Sequence, residues 1–161
     1  MNVQDYNACV DMYSDGLYRF LLKNTKDEDI AKDLVQDSFE KLWRKIDGID
    51  KSKAKSYLFT TGYHAFIDYT RKQKYVGDYN EIVEQSQAYS QPYNNLKEVI
   101  NDALDKLPEI QRTVIMLRDY EGYDYKEIGE ITNLSESQVK VYIFRGRQTL
   151  KNYLVKLENI L

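Results

Sequence analysis

The chain has 161 residues, with 23 basic and 26 acidic side chains and a formal net charge of −3. One cysteine and one histidine exclude an internal disulfide framework and a cysteine-based zinc site. No amino-terminal signal segment is present, and no apolar run approaches the roughly 20 residues that a membrane span needs, so we expect a soluble, cytoplasmic protein. Only seven glycines and two prolines occur, and apolar residues recur almost everywhere at helical spacing, which predicts an all-α fold.

The first informative segment is the predicted helix between Asp27 and Ile46. Its apolar residues define a broad buried face formed by Ile30, Ala31, Leu34, Val35, Phe39, Leu42, Trp43 and Ile46. The opposite stripe is polar and comprises Asp33, Gln36, Asp37, Glu40 and Arg44. Taken alone, such a stripe is typical of a solvent-exposed helix face.

A connector divides the chain into two predicted helical domains. Residues 73–95 lack sustained apolar periodicity and are rich in Gln, Asn, Ser and Tyr. A single compact domain rarely contains so long a loop. We therefore predict two small helical domains, at 1–74 and 96–161, joined by a flexible linker at 75–95.

The charges are segregated along the chain. Residues 40–74 carry nine basic and four acidic groups, and residues 135–161 carry five basic and two acidic groups. The segment between them, 75–134, has five basic and twelve acidic groups. A protein that contacts DNA at two places and other proteins elsewhere would have this distribution, although the net charge is negative.

The segment Asp124–Lys151 has the pattern of a helix-turn-helix. Its first helix has an apolar stripe at three-residue spacing, formed by Tyr125, Ile128 and Ile131. Asn133 lies where the chain must reverse, and asparagine tolerates the left-handed conformation that such turns use. Ser135 followed by Gln138 forms a capping box, which predicts the start of the second helix.

The second helix of this unit has two faces. Its predicted inward face is formed by Val139, Tyr142, Ile143, Leu150, Leu154 and Leu157. The residues that point elsewhere are Ser137, Lys140, Val141, Phe144, Arg145, Arg147, Gln148 and Lys151. Basic side chains provide salt-sensitive affinity for phosphates, and side chains near the helix start can reach base edges in the major groove. A helix that is merely exposed to solvent has the same pattern. DNA contact is favoured because the turn at Asn133 and the cap at Ser135 together indicate a helix-turn-helix.

Three segments together resemble the sigma-70 family of bacterial RNA polymerase sigma factors. Region 2 of the family is resembled by Asp33–Trp43, with the sequence DLVQDSFEKLW. The promoter-melting helix that follows it is resembled by Tyr57–Lys72, with the sequence YLFTTGYHAFIDYTRK. Region 4 is resembled by the segment Leu107–Leu150. A chain with only these two regions is similar to the extracytoplasmic-function (ECF) subgroup. The resemblance implies a factor that directs core RNA polymerase to specific promoters and assists strand opening. It also implies a cognate anti-sigma factor as a partner, often membrane-anchored, beside core polymerase and promoter DNA.

The resemblance implies three sets of site residues. Asp33, Gln36 and Asp37 match the residues that dock on core polymerase, where carboxylates and an amide can pair with arginines of a partner helix. The set implied for the single-stranded upstream promoter element comprises Lys51, Lys53, Lys55, Tyr57, Tyr63, His64, Asp68, Arg71 and Lys72, which offer a cationic track and stacking surfaces. The set implied for the distal promoter element comprises Ser137, Lys140, Val141, Phe144, Arg145 and Arg147. Of these, Arg147 is expected to contact a phosphate group of the DNA.

Three positions depart from the family pattern. His64 replaces the usual asparagine, so base choice there is open, and Asp68 one turn later could orient the imidazole. Gly129 stands where alanine is usual, and Asn133 stands where glycine is usual. Both are small or tolerant of turns, so we expect the helix-turn-helix to be retained.

The sequence also bears on two other classes of protein, enzymes and stand-alone DNA-binding regulators. No Gly-rich phosphate loop, nucleophile elbow or histidine-rich cluster is present, so we expect no catalytic site, no cofactor and no metal. A stand-alone helix-turn-helix regulator with an amino-terminal interaction domain is the alternative. Such a regulator would bind duplex operator unaided, whereas an initiation factor should bind promoter DNA appreciably only with core polymerase.

Overall fold

The computed structural model describes residues 1–76 and 96–160, with side chains described for 1–74 and 96–158. In these ranges the protein is all-α and has no strand, which confirms the predicted fold class. The predicted linker at 75–95 lies outside the described residues, apart from the backbone of its first two positions.

Three helices form the amino-terminal half. They are α1 (Val3–Thr25), α2 (Glu28–Arg44) and α3 (Ala54–Val76), and two short 3₁₀ turns, Ile46–Gly48 and Lys51–Lys53, connect α2 to α3. Asn2 and Asp5 form a capping box at the start of α1, and the Asp27 side chain accepts hydrogen bonds from the backbone at the start of α2. These caps satisfy amide groups that a helix start leaves without partners.

Four helices form the described carboxy-terminal half. They are α4 (Leu96–Asp105), α5 (Glu109–Ile115), α6 (Tyr125–Thr132) and α7 (Glu136–Ile160). The chain continues from α5 into a π-helical segment, Met116–Tyr120. Such segments are frequent at functional positions because they shift the register of the side chains that follow.

The helix-turn-helix is formed by α6, its turn and α7. The Asp124 side chain caps α6 through a capping box with Glu127. Asn133 adopts the left-handed conformation, with φ of 62°. Ser135 and Gln138 form the predicted capping box, since the Ser135 amide donates to Gln138 Oε1 at 2.9 Å and the Gln138 amide donates to Ser135 Oγ at 3.1 Å. The predicted turn and cap are therefore confirmed.

The two halves share one hydrophobic core. It includes Leu17, Phe20 and Phe59 from the amino-terminal half together with Leu117 and Ile128 from the carboxy-terminal half. Helix α3 packs against α6, and α1 packs against α5. A second, smaller cluster lies within the carboxy-terminal half and comprises Leu104, Leu107 and Ile115.

Trp43 was predicted on the buried face of α2, and this prediction was wrong. Its side chain is 46% exposed. It contacts Tyr6 of α1 in an edge-on arrangement, with ring centroids 5.0 Å apart. Trp43 lies one residue before the end of α2. Helical spacing places a residue on a face but does not show how far the neighbouring helix extends along it.

Candidate protein and nucleic-acid interfaces

The polar stripe of α2 is directed to solvent. Asp33 and Gln36 are exposed, and Asp37 is partly buried. Asp37 pairs with Lys41 at 3.2 Å, and Arg44 pairs with Glu40 at 2.7 Å, both along the same helix. Exposed pairs of this kind contribute little to stability. The stripe is therefore available to a partner at small cost to the fold.

A second surface follows along α3. His64, Asp68, Arg71 and Lys72 are exposed, and Tyr57 is partly buried. Their spacing places them on one side of α3, because residues seven apart in a helix lie almost directly above one another. Lys45 lies over the Tyr57 ring, with Nζ 5.5 Å from its centroid, which adds a cation–π contact at the start of this surface.

The exposed end of this surface includes lysines from the segment before α3. Lys53 is exposed, and Lys51 is exposed but pairs with Asp5 at 3.5 Å. His64 makes no hydrogen bond or ion pair with Asp68 in the part of the chain that the structure describes. The orientation of the imidazole by Asp68 thus stays a prediction.

Two residues of the predicted single-strand set lie elsewhere. Tyr63 is 6% exposed and packs near Phe20, Phe66 and the His64 ring, at centroid distances between 6.3 and 6.4 Å. Burial raises the pKa of Tyr63 to about 12, and the Glu109 carboxylate acts in the same direction. Lys55 is turned toward the carboxy-terminal half. Tyr63 is thus covered by its neighbours and Lys55 is paired with Glu121, and the contact of both residues with DNA stays a prediction.

The exposed face of α7 forms a third surface. Val139 and Ile143 are buried, which turns the opposite side of the helix to solvent. The exposed residues on that side are Ser137, Lys140, Val141, Phe144 and Arg145. Phe144 is 69% exposed. Apolar side chains in the major groove contact the thymine methyl group, and the Phe144 ring offers a surface of that kind.

Arg147 is exposed but has a partner within the domain. Its Nη2 atom donates to Asp119 Oδ1 at 2.6 Å, and this hydrogen bond raises the pKa of the guanidinium. Asp119 lies in the π-helical segment. The predicted phosphate contact of Arg147 therefore requires either release from Asp119 or a phosphate that approaches beside it.

Tyr125 packs against the hydrophobic core, as its place on the apolar stripe of α6 predicts, and its ring also borders this surface. The centroid of its ring is 5.0 Å from the Arg118 guanidinium and 5.6 Å from Lys140 Nζ. Together with Lys140, Phe144 and Arg147 it lines a shallow cleft on α7. The sequence did not indicate that Tyr125 would line this cleft, because a tyrosine on an apolar stripe has the same spacing as a residue that only packs.

Comparisons with known proteins identify the family of the chain. Residues 9–75 match the family model described as Sigma-70 region 2, and residues 97–150 match the one described as Sigma-70, region 4. The chain is 37% identical to the ECF RNA polymerase sigma factor SigM of Bacillus subtilis over 87% of this chain and 89% of that protein. It is 30% identical to SigW of the same organism, over 90% of this chain and 86% of that protein.

A solved structure has the same arrangement of helices. It is the sigma factor RpoE of Bartonella quintana in complex with the anti-sigma factor NepR, with a TM-score of 0.79, 28% identity, and coverage of 94% of this chain and 98% of that one. No helix within the described ranges is long and apolar enough to cross a membrane. The matches to both sigma regions, in order and over nearly the whole chain, show that the protein belongs to the ECF RNA polymerase sigma factors, which are transcription-initiation factors.

Proposed function

We propose that this chain brings core RNA polymerase to specific promoters through the three surfaces described above and has no catalytic chemistry of its own. The observation that carries the proposal is the position of the surfaces on opposite halves of one chain. The α2 stripe has Asp33 and Gln36 exposed, whereas the base-reading face of α7 has Lys140, Phe144 and Arg145 exposed. A factor that bridges polymerase and duplex DNA needs two separate surfaces of this kind.

The division of labour follows the two matched regions. Residues 1–74 dock on polymerase and hold the single-stranded upstream element, and residues 96–161 read the distal element as duplex. On α3, the exposed His64, Arg71 and Lys72 provide one polar contact and two cations along a strand. On α7, Lys140 and Arg145 provide hydrogen-bond donors for base edges, and Val141 and Phe144 provide apolar contacts for thymine methyl groups.

We also propose a cytoplasmic location and an anti-sigma factor as a partner. Core polymerase and chromosomal DNA share the bacterial cytoplasm, so a factor that binds both must act there. The Bartonella relative of similar fold is bound to an anti-sigma factor, which supports the same type of regulation here. Co-purification of the tagged chain from its native cells under non-inducing conditions would recover such a protein.

Transcription in vitro with matched core polymerase on a genomic promoter library tests the main proposal. Addition of the chain should produce defined start sites that share two promoter elements, and core polymerase alone should not. The same chain without polymerase should bind promoter duplex weakly and with steep salt dependence. Tight, sequence-specific binding of the free chain together with no start sites would instead support the stand-alone regulator.

A further inference from the structure

Lys140 lies against an aromatic ring and not against a carboxylate. It is exposed near the start of α7, and its Nζ atom is 5.6 Å from the centroid of the Tyr125 ring. Within residues 1–74 and 96–158 its side chain forms no ion pair. Arg147 on the same helix differs, because Asp119 neutralises its guanidinium group at 2.6 Å.

This difference between the two cations matters for the recognition of DNA. A carboxylate holds an ammonium group by neutralising its charge, and it occupies hydrogen-bond donors that a base acceptor needs. The face of an aromatic ring attracts an ammonium group through its quadrupole and brings no negative ion. Lys140 can therefore be held in place while its charge and its N–H donors stay available to a base edge.

The Tyr125 ring is a fixed platform for this contact. Tyr125 is the first residue of α6, directly after the Asp124 cap, and its side chain packs against the hydrophobic core. The Arg118 guanidinium lies 5.0 Å from the ring centroid, and Arg118 Nη1 donates to the Tyr123 carbonyl at 2.9 Å. The helix cap, the core and a second cation thus hold the ring in place independently of the exposed side chains of α7.

A flexible lysine gains selectivity from such a platform. A free lysine side chain populates many rotamers, and ordering it on a base edge costs conformational entropy. Attraction to phosphates is less sensitive to the position of the charge, because it is a long-range electrostatic effect that does not depend on sequence. A ring that restricts the ammonium group to one region therefore favours discrimination between bases more than it favours overall affinity.

We propose that Tyr125 is a positioning residue for base recognition: its ring holds Lys140 in the place from which the ammonium group reads one base pair of the distal promoter element. The inference rests on the proposed function for the role of Lys140. It adds a residue on the first helix of the helix-turn-helix that determines specificity through another side chain.

Three substitutions separate the ring from the hydroxyl group and from core packing. Tyr125→Phe keeps the ring and removes the hydroxyl group, whereas Tyr125→Leu removes the ring and keeps an apolar side chain against the core. Tyr153→Leu is the matched control, because the Tyr153 ring of α7 also contacts a lysine, with Lys106 Nζ 4.4 Å from its centroid. Neither Tyr153 nor Lys106 belongs to a surface proposed to bind DNA. Thermal unfolding followed by circular dichroism verifies that each variant is folded.

The first measurement is transcription by the holoenzyme from a promoter library randomised across the distal element. Lys140→Ala identifies the position that Lys140 reads, as the column at which base preference is lost. Tyr125→Leu should weaken the preference at that column by about two- to fivefold, the range for an exposed cation–π contact. Tyr125→Phe and Tyr153→Leu should both keep the profile of the parent.

Three results would overturn the proposal. An unchanged profile for Tyr125→Leu would show that the ring does not position Lys140. Equal losses at every column would indicate a purely structural role for Tyr125 in the domain. A loss for Tyr125→Phe as large as that for Tyr125→Leu would assign the effect to the hydroxyl group and not to the ring.

The second measurement tests whether Tyr125 acts through Lys140. Tyr125→Leu added to Lys140→Ala should change the profile no further, because the side chain that the ring positions is already absent. A further loss of the same size as in the parent background would show that the two residues act independently, and the proposal would be wrong. A parent holoenzyme without defined start sites would instead contradict the proposed function, so the two failures are distinguishable.

Discussion

Replacement of Gly129 by alanine tests the tight packing of the helix-turn-helix. A Cβ at position 129 would lie 2.6 Å from the backbone oxygen of Leu134, well inside contact distance. The turn cannot easily yield, because the Leu134 amide donates to the Gly129 carbonyl at 3.0 Å and Asn133 is already left-handed. Alanine favours a helix over glycine by about 1 kcal/mol, but overpacking against fixed backbone costs about 1–3 kcal/mol. The difference is a net loss of stability between roughly zero and 2 kcal/mol, and because the opposing atom is fixed backbone we expect a loss of about 1 kcal/mol.

Thermal unfolding monitored by circular dichroism measures the effect. For a chain of this size, each kcal/mol corresponds to roughly 2–4 °C in Tm. Gly48→Ala is the control, because a Cβ at position 48 meets nothing within 4 Å, and its Tm should stay close to that of the parent. Adding Asn133→Gly to Gly129→Ala restores the family's pattern and should recover part of the loss, since glycine lets the turn relax. A Gly129→Ala protein as stable as the parent would refute the reasoning.

Three further predictions concern the interfaces. Asp33→Ala combined with Gln36→Ala should weaken binding to core polymerase, measured by competition with a labelled sigma factor. The free energy of unfolding should change by under about 0.5 kcal/mol, because both side chains are exposed. Unchanged affinity for core polymerase would contradict the docking role. Lys140→Ala and Arg145→Ala should each reduce the ratio of promoter to random-duplex affinity of the holoenzyme, whereas equal losses on every sequence would make these residues phosphate contacts only. His64→Asn should change base preference at a single position of the upstream element by about 1–3 kcal/mol, measured by transcription from a randomised promoter library; a profile identical to the parent's would leave His64 without a role in base choice.

The local structure of the helix-turn-helix could be predicted from the sequence. Asn133 adopts the left-handed conformation and Ser135 caps α7 through Gln138, as their residue types predict. These features depend on side chains within four residues of one another. The exposed stripe of α2 was predictable for the same reason, since helical spacing alone separates Asp33 and Gln36 from the buried face.

The residue type at position 129 was informative, but the exact spacing was not predictable from the sequence. A glycine there indicates that another backbone can come close, and the Leu134 carbonyl does approach too closely for a Cβ. The distance depends on how sharply the whole turn bends. A sequence pattern gives the type of residue that a turn accepts and not the clearance between its two backbones.

The surroundings of Lys55, Tyr63 and Trp43 were decided by the tertiary structure alone. Contact with DNA was predicted for both Lys55 and Tyr63. In the structure Lys55 pairs with Glu121, and Tyr63 is buried in the core that the two halves share. Trp43 had the spacing of a core residue and is half exposed. Periodicity along one helix shows which side is apolar. Whether a side chain is covered depends on elements far away in the chain, because burial requires a partner surface that local sequence does not encode.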